Sequence, residues 1–162
     1  MKVLHFLPVY PPAWQYGGPV LSVSRLCEAL AERGLDIHVI TTNAGQSSTF
    51  KPPLDTPHLV NGVVVTYYRV DKLTGPIRSK ALLANIDSHL ENCSIFHLSG
   101  IWQPLGAQLQ NYAHRAGIPV IHSIRGALGP YSFSRGFWKK FPYFLLKERP
   151  LLQKAKALHV TS

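Results

Sequence analysis

The chain has 162 residues, 46% apolar and 15% charged, with twelve glycines and thirteen prolines, the profile of one soluble globular domain. A chain of this size buries about two-thirds of its unfolded surface and needs no disulfide or metal staple. Two cysteines, Cys27 and Cys93, are too few for a secreted disulfide framework, and both are expected as reduced, buried thiols of a cytoplasmic protein. No stretch approaches the roughly 20 apolar residues of a membrane span. The net charge of +9 is uneven: residues 1–99 carry eight Lys/Arg against seven Asp/Glu, whereas residues 100–162 carry nine against Glu148 alone. A cationic second half suits an anionic partner such as a phosphorylated substrate, an acidic lipid or a nucleic acid, or else forms a solubilising face.

In chain order, Lys2 to Leu7 is an apolar run interrupted by Pro8, Pro11 and Pro12; it is expected as a buried strand, not a signal peptide. Val20, Val23, Leu26, Cys27 and Leu30 repeat at three and four residues and form one helical face ending near Gly34. Strands follow at Ile37 to Thr42, Val63 to Arg69, Ser94 to Leu98, Pro119 to Ser123 and Ala157 to Val160. Two further helical patterns lie between them, one on Leu82, Leu83, Ile86 and Leu90, the other on Leu105, Leu109, Tyr112, Ala113 and Ala116 before Gly117. Segments 43–61 and 70–77 are rich in Pro, Ser, Thr and Gly and are expected as surface loops. In residues 131–149 aromatics alternate with cations; Phe137, Phe141, Phe144 and Leu145 share a helical face, with Pro142 expected to break or kink it. Strands alternating with helices, several strands apolar almost throughout, indicate a Rossmann-like, doubly wound α/β domain whose mostly parallel sheet is covered by helices on both faces.

Such sheets bind ligands beyond the carboxyl ends of their strands, where strand order reverses. After the first strand, Pro11-Pro12 runs through Tyr16-Gly17-Gly18-Pro19 into the first helix. The paired glycines leave amides uncovered at a helix N-terminus, with Pro19 suited to the first helical position. That arrangement is an anion site or a glycine turn ending a proline-rich loop. After the fourth strand stand His97, Ser99 and Trp102, with Ile95, His97 and Ser99 on one face and Phe96 and Leu98 on the other. After the fifth, Arg125 and Gly126 supply a permanently charged fork beside a glycine. Each histidine also has a bland reading as a hydrogen-bonded core residue, stronger for His5 and His159 than for His97, and open for His122. No local metal-ligand spacing points to zinc. The glycine loop is neither a dinucleotide fingerprint nor a P-loop, which weakens both readings.

These residues resemble the N-terminal half of family 4 glycosyltransferases of two-domain GT-B architecture. The family segments "His-x-His-Gly-x-Trp" and "Pro-Arg-Gly-Met-Leu" stand here as His97-Leu98-Ser99-Gly100-Ile101-Trp102 and Ile124-Arg125-Gly126-Ala127-Leu128, so Ser99 replaces the second histidine and Ile124 the proline. The Pro11-Pro12 to Gly17-Gly18 loop, Gly117-Ile118-Pro119, Trp138-Lys139-Lys140 and Ala157 to Ser162 fit in order. The resemblance implies sugar transfer from a nucleotide-sugar donor to a glycan or lipid-linked saccharide, with retention of configuration and without metal or other cofactor. It implies that Gly17 and Gly18 approach the donor phosphates, that His97 and Arg125 are catalytic, and that Tyr16, Ser99, Trp102 and Gly126 line the acceptor side of the cleft. An Arg at 125 excludes a general-base role there.

The resemblance also implies a second, nucleotide-binding domain of about 150 to 200 residues with a Glu-x7-Glu signature, and no two glutamates here are eight positions apart. An acceptor-side domain, inactive alone and partnered by that missing domain, is therefore expected. A cationic membrane-surface or polyanion-binding module built on residues 131–156 is the alternative, with Trp138, Lys139 and Lys140 facing an anionic membrane from its cytoplasmic side. A nucleic-acid partner is disfavoured, since only charge suggests it.

Overall fold

The computed structural model describes residues 1–46, 52–125 and 137–160, without the side chains of Phe137 and Lys139. Seven strands form one sheet: β1 (Lys2–Val9), β2 (Asp36–Thr42), β3 (Pro57–Val60), β4 (Val63–Tyr68), β5 (Cys93–Ser99), β6 (Val120–Ser123) and β7 (Ala157–His159). Their spatial order is β3-β4-β2-β1-β5-β6-β7. All neighbours are parallel except β3 and β4. Helices α1 (Gly18–Glu32), α2 (Lys80–Leu90) and α3 (Pro104–Arg115) connect the strands. Before β7 the chain forms α4 (Phe137–Tyr143), a π turn (Phe144–Glu148) and α5 (Arg149–Lys154).

The alternation of each strand sorts its side chains between two cores. Leu4, Phe6, Phe96, Leu98 and Val120 face Leu82 and Ile86 of α2 and Leu105 and Leu109 of α3. Val3, Leu7, Ile37, Val39 and Val65 face Val20, Val23 and Cys27 of α1. Phe6 is wholly buried, and truncating such a side chain to Ala costs about 3–5 kcal/mol. Gly106 lets α3 lie close to the sheet, since a Cβ there would meet Leu98 Cδ1 at 3.2 Å.

Helix ends follow local chemistry. Ser79 caps α2 by accepting the Leu82 N–H at 3.2 Å. Gly34, at φ +82°, ends α1: its N–H donates to Ala31 O at 2.9 Å and that of Leu35 to Leu30 O at 3.3 Å, the paired bonds of a Schellman motif.

Four expectations change. Segment 43–61 is not all loop: Asn61 and Gly62, both at positive φ, turn β3 back antiparallel on β4, as an Asn-Gly pair does between strands. Pro57 opens β3 at the sheet edge, where its missing donor is tolerated. Pro142 lies inside α4 without ending it; having no N–H to return to the preceding turn, it is followed by the wider π turn. Pro19 is the second helical residue, since α1 begins at Gly18. Cys27 is buried but Cys93 is only half-buried; both are free thiols.

Because β1–α1–β2 winds one way and α2 carries the chain back across β1 to β5, strand order reverses between β1 and β5. The carboxyl ends of these two strands border the crevice where this architecture places ligands.

Candidate functional site

The two glycines before α1 have different jobs. Gly17 lies at φ +73°, ψ −143°, a conformation that side chains resist, and its N–H donates to Trp14 O at 2.9 Å. Gly18 has ordinary φ, its N–H has no partner among the described residues, and a Cβ built on it meets nothing within 4 Å. Of the pair, Gly18 presents an open amide.

Arg125 reaches α1 from the opposite side of the crevice. It follows β6 in a left-handed conformation, φ +48°, and its Nη1 donates to Ser22 Oγ, one turn into α1, at 2.6 Å. A hollow of about 330 Å³ is lined by Gly18, Pro19, Ser22 and Arg125. The buried Arg125 Nε has no partner among the described residues. Partial burial lowers the affinity of this guanidinium for its proton, but its ordinary value is so high that it stays charged.

Beneath the crevice, on the sheet face that carries α1, imidazoles form a row. His5 of β1 is fully buried and His97 of β5 nearly so. Their ring centroids are 4.6 Å apart, and His159 of β7 lies 5.7 Å beyond His97. His159 Nδ1 and Ser123 Oγ are 3.3 Å apart. Neither ring nitrogen of His5 has a partner among the described residues; nor has His97 Nε2 or Ser99 Oγ. Buried polar groups almost always find partners, so this cluster of unused atoms is capacity for a polar ligand or water. Burial first, then the charge of His97 and Arg125, pushes His5 down to about 3. Burial, then His159 and Arg125, pushes His97 down to about 4. Both are neutral at pH 7, and Arg125 is the fixed positive charge beside them.

His5 and His97 therefore depart from the bland reading of a satisfied core histidine. His122 fits it: buried on the other face, it has Gln110 Oε1 3.0 Å from Nδ1 and Gly100 O 3.1 Å from Nε2. Among the described residues no three His, Cys, Asp or Glu side chains cluster as a metal site, and no helix is long and apolar enough to cross a membrane.

Of the other expected site residues, Tyr16 and Trp102 are not among those that line this hollow. Tyr16, half exposed, stacks over Gly45, whose carbonyl accepts from Gln15 Nε2. Trp102, at φ +68°, donates its N–H to the Glu148 carboxylate at 3.0 Å. Its ring lies 6.1 Å from those of Tyr143 and Phe144 and 5.9 Å from Lys140 Nζ. A separate hollow of about 270 Å³ is lined by Pro76, Trp102, Pro104, Lys140 and Tyr143. Pro76 also borders a larger, open one of about 640 Å³ with Asp71, Lys72, Arg78 and Lys80. Trp138 is 88% exposed. Gly126 and the Lys139 side chain fall outside the described residues.

Two residues at or beneath the crevice are not among the expected site residues: Ser22, which nothing in the sequence singles out, and His5, which is expected as a core histidine. Ser22 was visible only as the position one helical turn after Gly18, and His5 only as the residue level with His97 on the neighbouring strand. No curated protein sequence matches the chain. The family described as glycosyl transferase 4-like domain matches it over residues 17–162, from the first of the two glycines before α1 to the end of the chain, and the chain belongs to that family.

Proposed function

We propose that this chain is the acceptor-side half of a retaining glycosyltransferase, which moves a sugar from a nucleotide-sugar donor to a glycan or lipid-linked saccharide without a metal, in the cytoplasm. Membership of a glycosyl transferase 4-like family supports sugar transfer in general. The observation that supports the finer reading is one hollow lined by the open Gly18 amide and the Arg125 guanidinium, with the unpartnered nitrogens of His97 and His5 buried within electrostatic reach of Arg125.

As the glycosidic bond to the donor breaks, negative charge builds on the departing diphosphate. Fixed donors aimed at that charge lower the barrier without reorganising. The Gly18 amide and Arg125 supply such donors, and Ser22 holds the guanidinium in place. Neutral His97 faces the sugar and the attacking hydroxyl, with Ser99 two residues along the same strand face. The aromatic hollow at Trp102 fits a ring of the acceptor, because apolar faces of sugars pack on aromatic rings. The nucleotide itself requires a second domain, and the chain alone is inactive.

The experiment is radiolabelled sugar transfer from a set of nucleotide sugars, by the chain alone and by a two-domain enzyme containing it. Transfer by the two-domain enzyme, reduced about tenfold or more by Arg125→Lys, is expected. Transfer by the chain alone overturns the division of labour, and unimpaired transfer by Arg125→Lys overturns the site.

A further inference from the structure

The segment from α4 to α5 has an anchored inner side and an unusual outer one. Inward, Leu151 and Leu152 are buried, and Phe144 packs with Ile101, Ile124 and Leu152. Outward, Trp138 is 88%, Leu146 74%, Phe141 42% and Leu145 38% exposed. Positions 138, 141 and 145 recur at helical spacing. In the π turn, Leu145 and Leu146 are both exposed. Lys147 and Arg149 are exposed beside them. The only acid of residues 100–162, Glu148, is 2% exposed and turned inward to the Trp102 N–H. Among the described residues the outer side of this segment is therefore apolar and cationic, with no acidic side chain of its own.

We infer that this face docks on the surface of an anionic lipid bilayer, with α4 and the π turn lying flat in the headgroup region. Charge decides the sign of the partner, and the side chains decide its kind. Leu145 and Leu146 offer a nucleic acid neither stacking nor hydrogen bonds, whereas aliphatic and indole groups flanked by Lys and Arg suit the boundary between headgroups and acyl chains. Contiguous apolar exposure of this sort marks an interaction surface rather than ordinary solvent contact. The inference stands apart from the transfer reading, since it concerns binding without turnover.

The test is sedimentation of the full chain with vesicles of phosphatidylcholine alone and of phosphatidylcholine mixed with phosphatidylglycerol, at low and high salt. Binding to the mixed vesicles, weakened by salt, is expected. Joint Lys147→Glu and Arg149→Glu should weaken it about thirtyfold or more, since each basic residue near such a surface is worth about fivefold in affinity. Joint Trp138→Ser and Leu146→Ser should weaken it about as much while leaving the salt dependence in place. Equal binding to both vesicle types, or binding unchanged by either pair of substitutions, overturns the inference. So does a chain that ignores vesicles but dimerises in a way Leu146→Glu abolishes, which would put a second copy on this face.

Discussion

His5 and His97 sit side by side on neighbouring strands with ring centroids 4.6 Å apart, and neither His5 nitrogen has a partner among the described residues. Two imidazoles so close and so buried cannot both be charged at modest cost. Their values of about 3 and about 4 lie below the ordinary 6.5, so between these limits the unfolded chain binds more protons than the folded one. Stability is fully present above about pH 6.5 and is lost progressively as pH falls from there to about 4 and then 3. His89, pushed down to about 4 by burial and Lys2, acts in the same direction, whereas buried Glu148, raised by burial, opposes it weakly. Thermal melts from pH 7 to pH 4 should show a continuous fall in Tm.

His5→Leu separates cost from use. It removes two unsatisfied buried nitrogens, so the variant should be as stable as the parent at pH 7, or more stable by about 1 kcal/mol, with a shallower decline towards pH 4. Turnover of the two-domain enzyme should nevertheless drop, because His97 loses its neighbour. A variant less stable at pH 7 would show that His5 is simply a packing residue.

Gly17 and Gly18 should respond in opposite ways. Gly17→Ala forces a side chain into a positive-φ conformation and should destabilise by about 1–3 kcal/mol. Gly18→Val has open space and ordinary backbone; its Tm should stay near the parent's while transfer falls about tenfold or more, since the branched side chain covers the amide. Urea melts and turnover measured on the same preparations distinguish the two.

Arg125→Lys keeps the charge but loses the fork that grips Ser22 Oγ. Transfer should fall about tenfold or more with little change in Tm. Ser22→Ala should produce a smaller loss in the same direction, because it frees the guanidinium without removing it.

Glu148→Ala leaves the Trp102 N–H without its acceptor and should cost about 1–3 kcal/mol. Glu148→Gln keeps an acceptor oxygen and discards a buried charge, so its stability should match or exceed the parent's in denaturant melts.

Six parallel strands and three helices were legible because the strands are apolar, β-branched runs bounded by Pro, Gly or Asn and the helices repeat apolar residues at three and four positions, and the alternation on β5 correctly placed His97 and Ser99 on one face. β3 was hidden because Pro57 and its Pro/Thr-rich approach resemble loop, although Asn61-Gly62 was a usable turn signal. What Arg125 grips and what His5 lacks depend on which strands the crossover makes neighbours, information spread over residues 5 to 125 rather than local to either. The two glycines looked equivalent in sequence; only the backbone at Gly17 shows that one turns the chain while the other faces the crevice.

The most direct test of the crevice is titration of inorganic pyrophosphate into isotope-labelled chain, following backbone amides and histidine rings by NMR. Saturable shifts at Gly18 and Ser22, with the His97 titration moving upward from about 4 as the anion arrives, are predicted, and Gly18→Val should abolish them. Shifts confined to the surface lysines, with Gly18 and His97 unmoved, would contradict the account.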